Sequence, residues 1–189
     1  MAQATSQQPA SQQKSPLTNV STGLETGERQ QLARAVGKAL AETYVLYLKT
    51  QAVHWNVVGP MFYSVHKMTE EQYKDLADAI DELAERIRAL GAPTPVSYEE
   101  FQRVSDIKEK NERQTAEDAI RMLCEDHETA ARTFREVTRL ATEADDVVTV
   151  DLLTRRMAHH EKSAWMLRAL LQESAIVRVS GGDGGQPRQ

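Results

Sequence analysis

The residue types that could do chemistry are concentrated in one stretch, where two histidines and three carboxylates recur at helical spacing. Residues four apart lie on one face of a helix, so pairs at that spacing can act on a common ligand. Imidazole nitrogens combined with carboxylate oxygens suit Fe(II) or another first-row divalent ion. The five candidate ligands are His54, His66, Glu70, Asp81 and Glu85.

Two helical patterns must position these side chains. His54 closes the first, Gly59 and Pro60 break the chain, and the second carries the other four. With His66 at 0°, those other three fall at about 40°, 60° and 100°, on one arc of the helix. A rise of about 1.5 Å per residue separates Glu70 from Asp81 by roughly 16 Å, so one copy of the helix cannot bring both pairs to one ion. Two antiparallel copies, related by a two-fold axis near residue 75, can do so, and such contacts are the commonest oligomer symmetry.

A simpler interpretation is that the acids of this helix are only solvated. Four further acids on it, Glu71, Asp75, Asp78 and Glu82, are expected to be of that kind. Spacing alone does not separate the two interpretations.

Composition indicates one all-helical domain. The chain has 189 residues, and glycine and proline are sparse between Thr26 and Ser174. A net charge of -5 argues against a generic nucleic-acid binder, which is usually basic. The single cysteine, Cys124, cannot form an internal disulfide, which favours a reducing, cytoplasmic setting. Neither a membrane span nor a secretory signal is expected.

The periodicity predicts four long helices, over 26–54, 61–91, 115–142 and 148–174, and a short one over 97–105. Thr26, Ser97 and Thr115 are the expected N-caps, and Gly91 is the expected stop of the second helix. His127 and His160 fall in apolar seams. Each is expected to hydrogen-bond a buried partner, the sharper alternative being a second metal site inside the bundle. His159 is expected to face a surface.

The ends of the chain lack apolar residues. Residues 1–25 are expected to form a disordered tail and residues 176–189 a flexible one. The N-terminal tail carries one charge, Lys14, whereas an arm that binds DNA is normally dense in lysine or arginine. Tail charge therefore disfavours direct DNA binding.

From about residue 26 to 175 the chain resembles the Dps family, the DNA-protection-during-starvation branch of the ferritin-like proteins. The resemblance is carried by HWNVVGP at 54–60, VHKMTEEQY at 65–73 and DLADAIDELAERIRALG at 75–91. It is also carried by TAEDAIRMLCEDHETAARTFREV at 115–137 and HEKSAWMLRALL at 160–171. It implies an all-α, ferritin-like four-helix bundle with a short helix between the second and third long helices, assembled as a hollow homododecamer.

The resemblance also implies a site and an activity. His54, His66 and Glu70 of one subunit, with Asp81 and Glu85 of its mate, would form a ferroxidase centre that binds Fe(II). Many members have Asp where this chain has Glu70, which leaves the second iron site in question. Hydrogen peroxide, in preference to dioxygen, would accept the electrons, and Fe(III) would mineralise in the cavity.

Two further groups of residues follow from the same resemblance. Trp55 and Trp165 would lie near the centre and take up stray oxidising equivalents, although simple packing is an equal alternative. Asp145, Asp146 and Asp151 would line an iron-entry pore, the alternative being an acidic helix N-terminus.

Three functions are therefore weighed: a ferroxidase and iron store, a nucleoid-associated shell that compacts DNA, and a shell with a degenerate centre that buffers another divalent metal such as zinc.

Overall fold

The computed structural model describes residues 20–109 and 114–172, and they form five helices. The helices are α1 Thr26–Asn56, α2 Phe62–Ala89, α3 Tyr98–Val104, α4 Ala116–Glu143 and α5 Val147–Leu171. The predicted all-helical bundle with a short helix in the long connection is confirmed. The predicted tails lie outside the described residues, apart from residues 20–25. No helix among the described residues is long and apolar enough to cross a membrane.

The helix ends follow the local chemistry in most cases. Ser97 caps α3 by accepting from the Glu100 amide at 3.3 Å, and Thr115 caps α4 by accepting from the Asp118 amide at 3.1 Å. Gly91 adopts φ 86° after α2, a conformation that glycine reaches without strain. The expected cap at Thr26 is wrong, because Glu25 holds that position without a side-chain bond.

The bundle consists of two helical hairpins. α1 packs mainly on α2, which we term the first hairpin, and α4 packs mainly on α5, the second hairpin. α1 also contacts α4 and the short α3, so it is covered on several sides. This explains why α1 is buried around most of its surface, with Val36, Leu40 and Leu46 at its centre.

Four polar contacts join the first hairpin to the second. Lys49 pairs with Asp126 at 2.5 Å, and Thr133 donates to Glu42 at 3.0 Å. On the other side, Arg156 reaches both carboxylate oxygens of Asp75, and Arg86 contacts Asp146 at 2.6 Å. In contrast, the large apolar side chains, such as Leu83 and Phe134, fill the middle of the bundle.

Candidate metal centre

His54 and His66 come together at the turn between α1 and α2. Their rings stack with centroids 3.9 Å apart and planes 15° apart. The turn allows this because α1 ends at Asn56 and Gly59 takes φ 94°, which reverses the chain in a few residues. His54 is buried and His66 is half-buried. The last turn of α1 and the first turn of α2 thus present two imidazoles at one end of the first hairpin.

Each imidazole is held by the other residue's backbone. Nδ1 of His54 donates to the carbonyl oxygen of His66 at 2.8 Å, and Nδ1 of His66 donates to the carbonyl oxygen of His54 at 2.9 Å. A carbonyl oxygen only accepts, so Nδ1 carries the proton in both neutral rings. Both Nε2 lone pairs are then free to bind a metal ion, the arrangement by which proteins orient ligating histidines.

Aromatic rings flank this pair on both sides. Phe62 stacks on His66 with centroids 5.0 Å apart, and Tyr73 meets His54 edge-on at 5.2 Å. Close by in sequence, Trp55 and Tyr63 are 68% and 71% exposed. Large exposed aromatic side chains are characteristic of a surface that packs against another molecule.

Glu70 lies one turn after His66, but its carboxylate is engaged by two lysines. Lys67 contacts Oε2 at 2.9 Å and Lys74 contacts Oε1 at 2.8 Å. Hydrogen bonds and charge from Lys74 and Lys67 lower the pKa of Glu70 to about 2. The carboxylate is therefore ionised at neutral pH, as a metal ligand must be. Both ammonium groups are exposed, and such pairs are worth only about 0–1 kcal/mol each, so a metal ion can displace them.

Asp81 and Glu85 lie farther along α2, and both are exposed. The described residues contain no group of three or more histidine, cysteine or acidic side chains close enough to hold a metal ion. The five candidate ligands thus form two separate sets within one chain, His54, His66 and Glu70 on one side and Asp81 and Glu85 on the other. This agrees with the expectation that one copy of α2 cannot unite them, and their union across a two-fold axis stays a prediction.

The three candidate pore acids differ in their surroundings. Asp146 is buried as the N-cap of α5, where it accepts from the Thr149 amide at 3.1 Å and from Arg86 at 2.6 Å. Burial alone would raise the pKa of Asp146, but the bonds from Thr149 and Arg86 lower it. Asp145 and Asp151 are exposed, with Asp151 3.3 Å from Arg155. Asp146 is thus committed to the helix cap, and the pore itself stays a prediction.

The remaining histidines are explained by packing. Nδ1 of His127 and Nδ1 of His160 are 3.0 Å apart, so one ring donates to the other inside the bundle. Burial lowers the pKa of His127 to about 3 and that of His160 well below its usual value. His159 faces the surface, 3.2 Å from Asp75. Trp165 is exposed on α5, and Cys124 is buried, its thiol directed to the Ala164 carbonyl.

Two acids differ from the sequence expectation or escaped it. Asp75 is not a solvated acid, because it is half-buried and binds the Arg156 guanidinium at 2.9 and 2.5 Å. Glu42 was not singled out, although it is fully buried on α1 and burial raises its pKa to about 7. The available signal was the acid itself, placed among apolar residues within a long helix.

Comparisons with known proteins agree with this architecture. A ferritin-like domain model matches residues 34–176. The DNA protection during starvation protein 2 of Bacillus anthracis is 35% identical over 144 residues, which cover 76% of this chain and 99% of that protein. The DNA protection during starvation protein of Helicobacter pylori is 37% identical over 132 residues, 69% of this chain and 92% of that protein.

A solved structure extends the likeness to three dimensions. The crystal structure of the DPS protein from Vibrio cholerae O1, described as a member of a broad superfamily of ferritin-like diiron-carboxylate proteins, superposes with a TM-score of 0.78. It is 34% identical, and the match covers 84% of this chain and 99% of that one. The chain therefore belongs to the ferritin-like family and, within it, to the Dps proteins.

Proposed function

We propose that this protein is a ferroxidase and iron-storage mini-ferritin that acts as a hollow homododecamer. The observation that carries the proposal is the reciprocal hydrogen bonding of His54 and His66, which leaves two Nε2 lone pairs available at the surface of the first hairpin. Membership of a superfamily that includes diiron-carboxylate proteins supports iron as the substrate.

In this proposal the site is completed by a second copy of the chain. His54, His66 and Glu70 of one copy bind Fe(II) together with Asp81 and Glu85 of the other. The exposure of both Asp81 and Glu85 leaves them accessible to such a neighbour. The exposed ring of Trp55 and that of Tyr63 lie close in sequence to the histidine pair and would be covered by the same contact. Isologous two-fold contact buries the same patch on both partners.

The residues supply binding, charge and orientation. Hard carboxylate oxygens favour Fe(III) over Fe(II), so they lower the cost of giving up an electron. Two Fe(II) ions give one electron each to hydrogen peroxide, which is reduced to water, and the Fe(III) hydrolyses and mineralises in the cavity. We propose peroxide rather than dioxygen as the preferred oxidant. Removing both Fe(II) and peroxide protects DNA without direct contact.

The experiment combines oxidation kinetics with a matched control. The double variant His66→Ala with Asp81→Ala should remove fast peroxide-dependent Fe(II) oxidation while the shell remains assembled. Glu82→Ala removes an adjacent exposed acid of α2 that is not a candidate ligand. It should oxidise Fe(II) at the wild-type rate. Wild-type kinetics in an assembled double variant would refute the site.

The same preparation separates the alternatives. Metal binding without Fe(II) oxidation would favour a shell that buffers zinc or another divalent ion. Binding to duplex DNA at low salt, weakening as salt rises, would show direct phosphate contacts. The charge of the chain does not favour that outcome.

A further inference from the structure

Four of the five tyrosines in the chain form a continuous line of rings that begins at the candidate metal centre. Tyr73 of α2 contacts His54, and Tyr47 of α1 contacts Tyr73. The line continues through Tyr44 on α1 to Tyr98 on α3. It therefore crosses from the first hairpin to the short helix of the connection.

The spacing between successive rings is uniform. The centroid distance is 5.2 Å from His54 to Tyr73 and 6.4 Å from Tyr73 to Tyr47. It is 6.3 Å from Tyr47 to Tyr44 and 6.4 Å from Tyr44 to Tyr98. All lie within the range of roughly 4.5–7 Å at which aromatic side chains contact one another. An electron can pass along such a line in short steps, because each ring touches the next.

The far end of the line has a built-in proton acceptor. The Tyr98 hydroxyl donates to Oε1 of Glu109, and Gln102 donates to Oε2 of the same carboxylate at 2.8 Å. A phenol that loses an electron becomes a strong acid and must release its proton. Within the described chain, no other tyrosine of the line has such a bond to a carboxylate. An oxidising equivalent on the line should therefore come to rest at Tyr98.

Other aromatic side chains near the centre do not continue a path. On the opposite side of the histidine pair, the stack ends at Phe62, whose ring is far harder to oxidise than a phenol. Within the described residues, the rings of Trp55 and Trp165 touch no other ring. The tyrosine line is the path that leads away from His54.

We infer that Tyr73, Tyr47 and Tyr44 carry single oxidising equivalents from the iron site to Tyr98. This inference rests on the proposed function. When only one Fe(II) is present, it gives one electron to hydrogen peroxide, which yields hydroxide and a hydroxyl radical. That radical takes one electron, delivered through the line, and becomes hydroxide.

The electron is supplied by Tyr98, whose proton moves to Glu109. The products are a second hydroxide ion, a neutral Tyr98 phenoxyl radical and a protonated Glu109. The intermediate tyrosines regain the electron they lend. Hydrolysis of Fe(III) supplies protons that neutralise the hydroxide, and a soluble thiol reductant can then restore Tyr98. A diffusible radical is thereby exchanged for one held on α3.

The test uses the metal-free assembled protein with less than one Fe(II) per site and excess hydrogen peroxide. A nitroso spin trap marks tyrosyl radicals, and peptide mass spectrometry locates the adduct. In the wild type the adduct should lie on Tyr98. Tyr73→Phe keeps the ring but removes the first oxidisable link, so the Tyr98 adduct should fall severalfold while hydroxyl radical escaping to solution rises.

Tyr63 provides the matched control, because it is the one tyrosine outside the line. Tyr63→Phe should leave the Tyr98 adduct unchanged. Glu109→Gln can still accept the Tyr98 hydrogen bond but is a far weaker base, so it should also reduce the adduct. A structural role in packing alone would not respond to this last change.

Fe(II) oxidation recorded in the same samples separates the two proposals. If iron is oxidised normally and Tyr73→Phe gives the same Tyr98 adduct as Tyr63→Phe, the relay is refuted and the ferroxidase assignment stands. If the wild-type protein oxidises no iron, both are refuted.

Discussion

The molecule contains two histidine pairs whose surroundings differ completely. His54 and His66 are stacked, and each spends its Nδ1 proton on a backbone carbonyl, which leaves both Nε2 atoms free. His127 and His160 bond to each other through Nδ1, and both Nε2 atoms are buried without a hydrogen-bond partner. The first pair lies at the open end of the first hairpin and the second between the helices of the second hairpin.

The comparison shows that a histidine becomes a candidate ligand through the partner of its other nitrogen. A backbone carbonyl fixes the tautomer and directs the second lone pair outward. The inner pair lies beside the Arg156 guanidinium, whose positive charge further opposes a bound cation. The outer pair is thus suited to chemistry and the inner pair to packing, which agrees with the expectation that His127 and His160 have buried partners.

The largest expected effect is an exchange of phenotypes between the pairs. His66→Ala should slow peroxide-dependent Fe(II) oxidation by at least roughly tenfold to a hundredfold, the loss seen even for second-shell partners of metal ligands. His127→Ala should instead lower the free energy of unfolding by roughly 3–5 kcal/mol, through a cavity and an unpaired His160. Stopped-flow oxidation and urea unfolding measure the two quantities. Equal effects of both variants on both quantities would contradict the comparison.

The inner pair should also make the protein sensitive to acid. Because burial lowers the folded-state pKa of both histidines, the unfolded chain binds more protons below its pKa of about 6.5. Stability should fall by about 2 kcal/mol per histidine between pH 6.5 and 5. Arg156, Asp75 and His159 are the charged and titratable groups that act on this pair.

The measurement is the free energy of unfolding across this range for the wild type and for a variant with leucine at both positions, 127 and 160. The variant should lose this part of the slope. A parallel pair of curves would contradict the buried, neutral state of His127 and His160.

Glu42 should produce a smaller effect of opposite sign. Burial raises its pKa in the folded state to about 7, so its contribution is fully present below the unfolded value near 4.5 and is lost as pH rises through about 7. The loss should reach up to about 3 kcal/mol. Lys38 opposes the shift, as does the hydroxyl of Thr133, while Asp106 favours it.

Glu42→Gln keeps an oxygen that can accept from Thr133 but cannot ionise. The difference in unfolding free energy between this variant and the wild type should therefore shift in favour of the variant from pH 5 to pH 8. A difference that is constant with pH would show that Glu42 is ionised throughout.

The smallest effect is expected at the lysines that hold Glu70. Lys74→Ala removes one of two exposed ion pairs, each worth about 0–1 kcal/mol, so Fe(II) affinity should rise by less than about fivefold. Lys162→Ala, an exposed lysine on α5, is the control. Titration at low ionic strength measures the change, and a decrease in affinity would mean that Lys74 supports the site.

Much of the fold could be predicted from the sequence because local chemistry determines it. Ser97, Thr115 and Gly91 mark helix ends through bonds made within a few residues. The buried line of α2, which includes Leu76 and Leu83, follows from helical spacing. Each of these features depends on one segment of the chain.

The features that escaped prediction depend on how two helices are rotated against each other. Spacing places Asp75 on a particular face of α2, but the approach of Arg156 from α5 decides that it is paired. In the same way, the spacing of Tyr44 and Tyr47 does not reveal Tyr73 and Tyr98 beside them. The division of the ligands into two sets could be predicted, since it requires only the length of one helix.

The polar contacts between the two hairpins have a consequence for alignment. Apolar side chains could pack almost as well if one hairpin slid by a helical turn of about 5.4 Å. That slip would separate Lys49 from Asp126 and Arg156 from Asp75. An uncompensated buried charge costs about 3–5 kcal/mol, so these contacts select one alignment among several of similar apolar packing. They act as a measure of length inside the bundle, and they fix the height at which α2 stands against α5.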